Sequence, residues 1–186
     1  MIIFLKKIGL FLLDFIEAIV SALVLFVVLY LFLFQPHQVN GNSMLPTFEN
    51  NEYLLTNKIT YRFNEPKRGD IVIFKAPHNK KFDYIKRIIA LPKEKISLKG
   101  GKIFINNARL DESNYLTEST YTKGSHFLPE GGELVVPEGQ YFVAGDNRPH
   151  SSDSREWGYI SMKNIIGKAW LRYWPPSKFG LIPTMD

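Results

Sequence analysis

The chain has 186 residues, of which 45% are hydrophobic and 22% charged, and its net charge is +5. It contains no cysteine, which excludes disulfide bonds, a thiol nucleophile and a thiolate metal site. The basic residues are scattered in short pairs without a nucleic-acid-binding signature. We therefore expect attraction to anionic lipid headgroups and no nucleic-acid partner. Behind a mostly apolar N-terminal segment, about 150 residues remain, which is the size of one soluble domain.

An apolar segment, residues 8–34, predicts a membrane anchor. No charged residue occurs from Ala18 to Phe34. Because a hydrocarbon core of roughly 30 Å needs about 20 helical residues, the membrane helix is predicted to begin near Leu12 or Phe15 and to end at Pro36. A cleaved secretory signal is the main rival interpretation, and its apolar region has about 7–15 residues and ends at small residues. This segment ends in Leu-Phe-Leu-Phe-Gln-Pro, which favours a permanent anchor.

The cations around this segment predict its orientation. Lys6-Lys7 precedes it, and the next lysine or arginine is Lys58. Because cytoplasmic flanks carry the excess of positive charge, the N-terminus is expected inside the cell. The aromatic tail with Trp174 and Phe179 is predicted to touch the outer membrane surface, since Trp and Phe favour the interface. The predicted organisation is a cytoplasmic N-terminus, a single-pass plasma-membrane anchor and a domain on the outer face, at residues 1–7, 8–34 and 35–186.

The rest of the chain predicts β-structure. Residues 96–99 and 102–105 are β-rich runs joined by Gly100-Gly101, a pair that permits the positive φ of a tight hairpin turn. The stretch from Leu110 to Gly132 lacks periodicity and predicts a mobile excursion. Many short strands without alternating helices indicate a mainly β domain with a barrel-like or sandwich fold. Further β-rich runs occur at 53–56, 71–74, 82–90, 134–136, 141–144 and 168–174.

Two residues have the chemistry of a nucleophile and a base. Ser43 lies in the irregular segment Gly41–Phe48 just outside the anchor, where a serine is either an exposed nucleophile or an ordinary turn residue. Lys86 shares one face of a predicted strand with Tyr84 and Ile88. Its ammonium is either desolvated, which lowers the pKa and yields a base, or it reaches past the strand to water. The residues alone favour the ordinary role in each case, a turn residue for Ser43 and an ammonium that reaches water for Lys86.

Three stretches of the chain together carry a resemblance. They are Asn42–Thr47, Tyr84–Pro92 and Gly145–Arg155, and Arg68–Val72 fits as well. In this order, with the anchor just ahead of the first, they resemble the bacterial type I signal peptidases. These are membrane-anchored Ser-Lys proteases that remove signal peptides from exported proteins. The short chain with a single anchor is similar to the enzymes of Gram-positive bacteria.

The resemblance implies a serine endopeptidase with a catalytic dyad. Ser43 is the implied nucleophile, and Lys86 is the implied general base that takes its proton. Ser151 matches the position whose hydroxyl holds the lysine head. Asp153 and Arg155 match an ion pair that braces the same loop, so these three residues are expected to be supporting.

The resemblance also implies how the oxyanion is stabilised. The backbone N–H of Ser43 is the expected first donor. Some members of the family add a serine hydroxyl two positions before the nucleophile, and here that position is Gly41, which we expect to be a fourth supporting residue. The second donor therefore stays open. Neither a cofactor nor a metal is expected.

The implied substrates are the signal peptides of preproteins, bound extended as an added strand. Shallow apolar pockets are expected to accept small side chains at the −1 and −3 positions, as in Ala-x-Ala. Each matching residue is equally consistent with ordinary core packing. These positions are Val39, Met44, Phe48, Tyr84 and Ile85.

Two rival interpretations remain from the sequence. A Ser-His-Asp arrangement would use His150 as the base, with Asp146 or Asp153 orienting it, but it leaves the stretch around Lys86 unexplained. The non-enzymatic rival is a membrane-tethered assembly factor or chaperone for a surface structure, built on the same fold. The sequence leaves open the client preproteins, the oligomeric state and the role of His150.

Overall fold

A long N-terminal helix is the first element of the computed structural model, which describes residues 2–183. Helix α1 (Ile2–Leu33) has 32 residues, and its apolar part, Lys6–Tyr30, is not buried against the rest of the protein. At 1.5 Å per residue this part is about 37 Å long, enough to cross a bilayer. The helix begins well ahead of the predicted start near Leu12 or Phe15. It ends at Leu33, so Pro36 lies in the following strand, Phe34–Gln38, instead of marking the helix end. Met1 and residues 184–186, the ends of the cytoplasmic and outer segments predicted above, lie outside the described residues.

The described residues after α1 are mainly β, as predicted. The strands in chain order are β1 (Phe34–Gln38), β2 (Tyr53–Asn57), β3 (Ile71–Lys75), β4 (Asp83–Ala90), β5 (Lys95–Lys99), β6 (Lys102–Ile105), β7 (Ala108–Arg109), β8 (Glu133–Val135), β9 (Gln140–Ala144), β10 (Ile160–Ser161), β11 (Ile165–Trp174) and β12 (Gly180–Leu181). Two short helices, α2 (Thr60–Phe63) and α3 (Ser154–Trp157), interrupt them. The predicted final strand is β11, which begins three residues earlier than expected and is followed by the short β12.

The strands form two antiparallel sheets. The larger has the order β1-β2-β11-β3-β4-β9-β10, with β12 paired to β11, and the smaller has the order β7-β6-β5-β8. The predicted hairpin is β5–β6, and its turn residues Gly100 and Gly101 have φ of +58° and +69°. The larger sheet curls until β1 meets β4, where His37 Nε2 lies 3.3 Å from Asp83 Oδ2. This curvature makes the domain barrel-like.

The core covers both faces of the central strand β3. Ile71 and Ile73 belong to one buried cluster, which also contains Ile85 of β4. Val72 and Phe74 belong to a second cluster on the opposite face. A strand with both faces covered reads as a continuous apolar run, as this one does. The neighbouring strand β4 is therefore held firmly in the middle of the sheet.

The excursion at residues 110–132 contains no strand, but the structure ties it to the domain instead of leaving it loose. Glu112 forms an ion pair with Arg148, and Thr122 Oγ1 accepts a hydrogen bond of 3.0 Å from the same arginine. The backbone N–H groups of Phe127 and Leu128 both donate to the carbonyl of Arg155. These partners lie far away in sequence, which is why local periodicity does not reveal them.

Candidate active site

Lys86 and Ser43 meet at the edge of β4. Lys86 Nζ donates a hydrogen bond of 2.7 Å to Ser43 Oγ and one of 3.1 Å to the carbonyl of Ile85. Lys86 is only 4% exposed. Burial lowers its pKa from 10.5 to about 8. The carboxylates of Asp153 and Asp146 favour the charged amine and oppose this shift, but burial is the larger effect. The amine is thus far easier to deprotonate than that of an ordinary lysine.

The segment that carries Ser43 is held from the loop after β9. Asn147 donates its backbone N–H to the Ser43 carbonyl at 3.0 Å and its side-chain amide to the Asn42 carbonyl at 2.9 Å. Gly41 adopts φ +94° and donates its N–H to Asn50 Oδ1 at 2.8 Å. The Ser43 N–H has no acceptor among the residues that the structure describes, so it is free to bind a ligand oxygen.

Gly145 allows this close approach. A Cβ at this position would lie 2.4 Å from the Ser43 carbonyl oxygen and 2.3 Å from Ser151 Oγ. Real Cβ contacts are essentially never that short, so a side chain would push the two loops apart. The absence of a side chain at Gly145 therefore sets the distance between the nucleophile segment and the loop of Ser151.

Ser151 lies beside the dyad without the hydrogen bond that was expected. Lys86 Nζ bonds to Ser43 and Ile85 instead, and Ser151 contributes to the lowered pKa of Asp153. The hydroxyl points into the space next to Gly145.

Asp153 and Arg155 form the ion pair that the resemblance implied. The guanidinium binds both carboxylate oxygens at 2.8 Å. Burial by itself would raise the pKa of Asp153, but the hydrogen bonds and charge of Arg155 outweigh it and lower the pKa. Asp153 also accepts the N–H of Gly145 at 3.0 Å, and Arg155 donates to the carbonyl of Ser151 at 3.3 Å. The pair thereby braces the loop around the dyad.

A second buried ion pair, which the sequence analysis did not assign, lies behind the dyad. Because side chains alternate along a strand, Arg87 points away from Lys86 and binds Asp146 at 2.8 Å and 2.7 Å. Thr47 Oγ1 donates to the same carboxylate at 2.5 Å. This cluster links β4, the nucleophile segment and the loop after β9. Its residues lie within the three stretches that carry the family resemblance, but only their contacts show that together they link these parts of the chain.

A cleft of about 210 Å³ opens beside Ser43 between β1 and β4. Four of the five residues predicted to bind substrate line it: Val39, Met44, Tyr84 and Ile85. The fifth, Phe48, is 1% exposed, lies one helical turn beyond Met44 and is not among the residues lining this cleft. The cleft also has polar walls that the sequence analysis did not identify, namely Gln38, Asn40, Asp83 and Ser152.

The rival base is not in position. His150 is exposed, and the one hydrogen bond that it makes among the described residues is from its backbone N–H to the Asn147 carbonyl. Asp146 is bound to Arg87, and Asp153 is bound to Arg155. The described residues therefore contain no Ser-His-Asp arrangement around Ser43.

Comparisons with known proteins identify the family of this chain. The family described as signal peptidase, peptidase S26, matches residues 12–174. A signal peptidase I of Bacillus caldolyticus is 40% identical over 158 residues, which cover 81% of this chain and 85% of that protein. Signal peptidase IB of Staphylococcus aureus is 35% identical over 182 residues, which cover 89% of this chain and 93% of that protein. A crystal structure of a signal peptidase I from Enterococcus faecalis is 31% identical and covers 56% of this chain and 97% of its own, with a TM-score of 0.48. The chain belongs to the signal peptidase family, peptidase S26.

Proposed function

We propose that this protein is a membrane-bound serine endopeptidase that removes N-terminal signal peptides from exported preproteins. The observation that carries the proposal is the hydrogen bond of 2.7 Å between Lys86 Nζ and Ser43 Oγ. A buried amine with a pKa of about 8 can be neutral at a physiological pH and accept a proton. A serine hydroxyl within hydrogen-bond reach of such a base is an activated nucleophile.

In the proposed reaction, Lys86 takes the Ser43 proton as Oγ attacks the scissile carbonyl. The resulting ammonium donates that proton to the leaving amine, and an acyl-enzyme remains on Ser43. A water molecule then releases the acyl group by the same proton route. The unpartnered Ser43 N–H donates to the oxyanion. Gly41 offers no side-chain donor, so a second donor would come from the backbone or from water.

The cleft between β1 and β4 would hold the signal-peptide side of the bond. An extended peptide there would add a strand alongside the Gln38–Asn40 segment and Tyr84–Lys86. Successive side chains of a strand point to opposite faces, so the −1 and −3 side chains would both face the protein. The small volume and the packed walls of Val39, Met44 and Ile85 favour small residues at these positions.

The anchor would keep the site at the membrane surface, where preproteins emerge. Lys6 and Lys7 favour a cytoplasmic N-terminus, and one candidate span among the described residues favours a single crossing with the catalytic domain outside. The exposed tail residues Trp174 and Phe179 would then rest on the outer leaflet of the lipid bilayer.

Cleavage of a labelled preprotein by the full chain in detergent micelles tests the proposal. Product ending after a small residue should form with the wild type and with His150→Ala. Ser43→Ala and Lys86→Ala should each lower kcat/KM by on the order of 10⁴-fold or more, since the two side chains act as a unit. A folded wild type that cleaves none of several preproteins would favour the assembly-factor interpretation instead.

A further inference from the structure

A second cavity lies on the other flank of the Ser43 segment from the cleft between β1 and β4. Its volume is about 570 Å³, and its floor is made by Leu45, Pro46, Asn147 and Pro149. Five residues of the long excursion also line it, namely Leu116, Thr117, Ser119, Thr120 and Tyr121. The cavity continues past Pro46, Leu116 and Thr117 into a further space of about 780 Å³. We call these two connected spaces the distal groove.

The distal groove lies next to the segment that carries Ser43, since Leu45 and Asn147 line it. Asn147 donates to the Ser43 carbonyl at 3.0 Å, and Leu45 donates its N–H to the Asn42 carbonyl at 3.3 Å. A polypeptide cut at Ser43 must run past the serine on both sides. The cleft between β1 and β4 would take the signal-peptide part of the substrate, which becomes the acyl-enzyme. The part of the substrate beyond the cleaved bond then has to leave along the opposite flank of the Ser43 segment.

We propose that the distal groove binds the first residues of the mature protein, immediately downstream of the cleaved bond. The inference rests on the function proposed above. It adds a binding site for the leaving segment and assigns the wall of that site to the excursion at residues 110–122. Before cleavage this segment is extended and covalently continuous with the peptide in the first cleft.

Contacts to buried arginines fix the wall of the groove. Tyr115 packs its ring against Arg87, with the guanidinium carbon 4.0 Å from the ring centroid. Glu112 pairs with the fully buried Arg148, which also donates to Thr122. Arg87 lies next to Lys86, so the wall and the dyad share one rigid framework. A wall held at several points costs little entropy when it binds a peptide.

The charges in the groove are already paired. Asp146 is bound to Arg87, and Arg148 is bound to Glu112. Arg172, which lines the second space, is bound to Glu52. The remaining lining groups are apolar side chains, hydroxyls and the amides of Asn114 and Asn147, and the hydroxyls and amides can bond to the backbone of an extended chain. The groove therefore suits an extended, uncharged peptide segment, and an acidic or basic side chain gains no partner there. Examples of these lining groups are Leu45, Leu116, Thr117, Ser119 and Tyr121.

Two peptides that share one signal-peptide side test the inference with the full chain in micelles. The short one continues for about two residues beyond the bond, and the long one for about eight uncharged residues, which span about 26 Å when extended. The wild type should cleave the long peptide with a kcat/KM at least about tenfold higher than the short one. Thr117→Trp places an indole in the groove and should remove this advantage while leaving cleavage of the short peptide unchanged.

Two variants serve as controls. Thr117→Ser keeps the hydroxyl without filling the groove, and His126→Trp adds an indole on an exposed part of the same excursion that does not line it. Both should keep the advantage of the long peptide. Equal cleavage of the two peptides by the wild type overturns this inference alone, as does an equal loss on both peptides in Thr117→Trp. A wild type that cleaves neither peptide overturns the proposed function and this inference with it.

Discussion

Lys86 Nζ lies 2.7 Å from Ser43 Oγ, although the two residues are 43 positions apart in the chain. The lysine is 4% exposed, and its burial lowers the pKa from 10.5 to about 8. The pair therefore combines the contact that proton transfer needs with an amine that gives up its own proton near neutral pH. The pH dependence of cleavage reports directly on this amine.

Cleavage should increase with pH up to about 8, because the neutral amine is the active form. Below that pH the charged form dominates, and kcat/KM should fall by about tenfold per pH unit. Rates of preprotein cleavage between roughly pH 6 and pH 10 measure the curve. The His150→Ala variant should give the same curve. A flat profile, or a limb near the ordinary lysine value of 10.5, would contradict the assignment.

Replacing Arg155 should move the rising part of the pH profile of kcat/KM to higher pH. The guanidinium lowers the pKa of Lys86, and it also neutralises Asp153, which raises that pKa. Arg155→Met removes the first effect and strengthens the second, so the amine should hold its proton more firmly. The pH profile of kcat/KM measures the shift. The control is Arg172→Met, which also breaks an ion pair but leaves Glu52 paired with Lys178. Its pH profile of kcat/KM should be the same as that of the wild type.

A methyl group at Gly145 should damage catalysis more than folding. The added Cβ of Gly145→Ala would meet the Ser43 carbonyl oxygen at 2.4 Å, so the nucleophile segment has to move. A displacement on the order of 1 Å can lower the rate by about 100-fold. Cleavage kinetics and circular dichroism of the same sample test this. Gly180→Ala, whose Cβ meets open space, is the matched control. Unchanged kcat/KM in Gly145→Ala would show that the two loops adjust freely.

Loss of the Asp146 charge should destabilise the domain. In Asp146→Asn, Arg87 keeps its charge in a site where its side chain is 4% exposed. Leaving one partner of a buried pair uncompensated costs about 3–5 kcal/mol. The midpoint of denaturant unfolding measures the loss. Lys93→Met breaks the exposed pair with Glu138 and should leave the midpoint unchanged. A wild-type midpoint in Asp146→Asn would rule out a structural role for the charge.

The aromatic tail should help the domain that follows α1 to bind lipid. Trp174 is 52% exposed and Phe179 is 66% exposed, and both side chains favour the membrane interface. Trp174→Ala combined with Phe179→Ala should weaken the association of a domain that lacks residues 1–34 with liposomes. Co-sedimentation measures this. If the double variant associates as strongly as the unmutated domain, the tail does not contribute to membrane binding.

Local patterns were sufficient for the anchor, the fold class and most strands. Hydropathy over residues 8–34 predicts the helix, and the Gly100-Gly101 pair predicts the β5–β6 hairpin, because both depend on neighbours in the chain. The length of α1 ahead of the apolar run was missed, since helical hydrogen bonding continues past the part that a bilayer requires. The anchoring of residues 110–132 was missed because its partners, Arg148 and Arg155, are remote in sequence.

The sequence by itself determined which residue types stand in which order, and thereby the anchor, the mainly β domain and the presence of Ser43 and Lys86. Only the tertiary structure decided that the two side chains touch, that Phe48 lies outside the cleft beside Ser43, and that Ser151 makes no bond to the lysine among the described residues. The reason is physical. Residue type and spacing determine local conformation, whereas contact, burial and the resulting pKa depend on segments that meet only when the sheet curls closed.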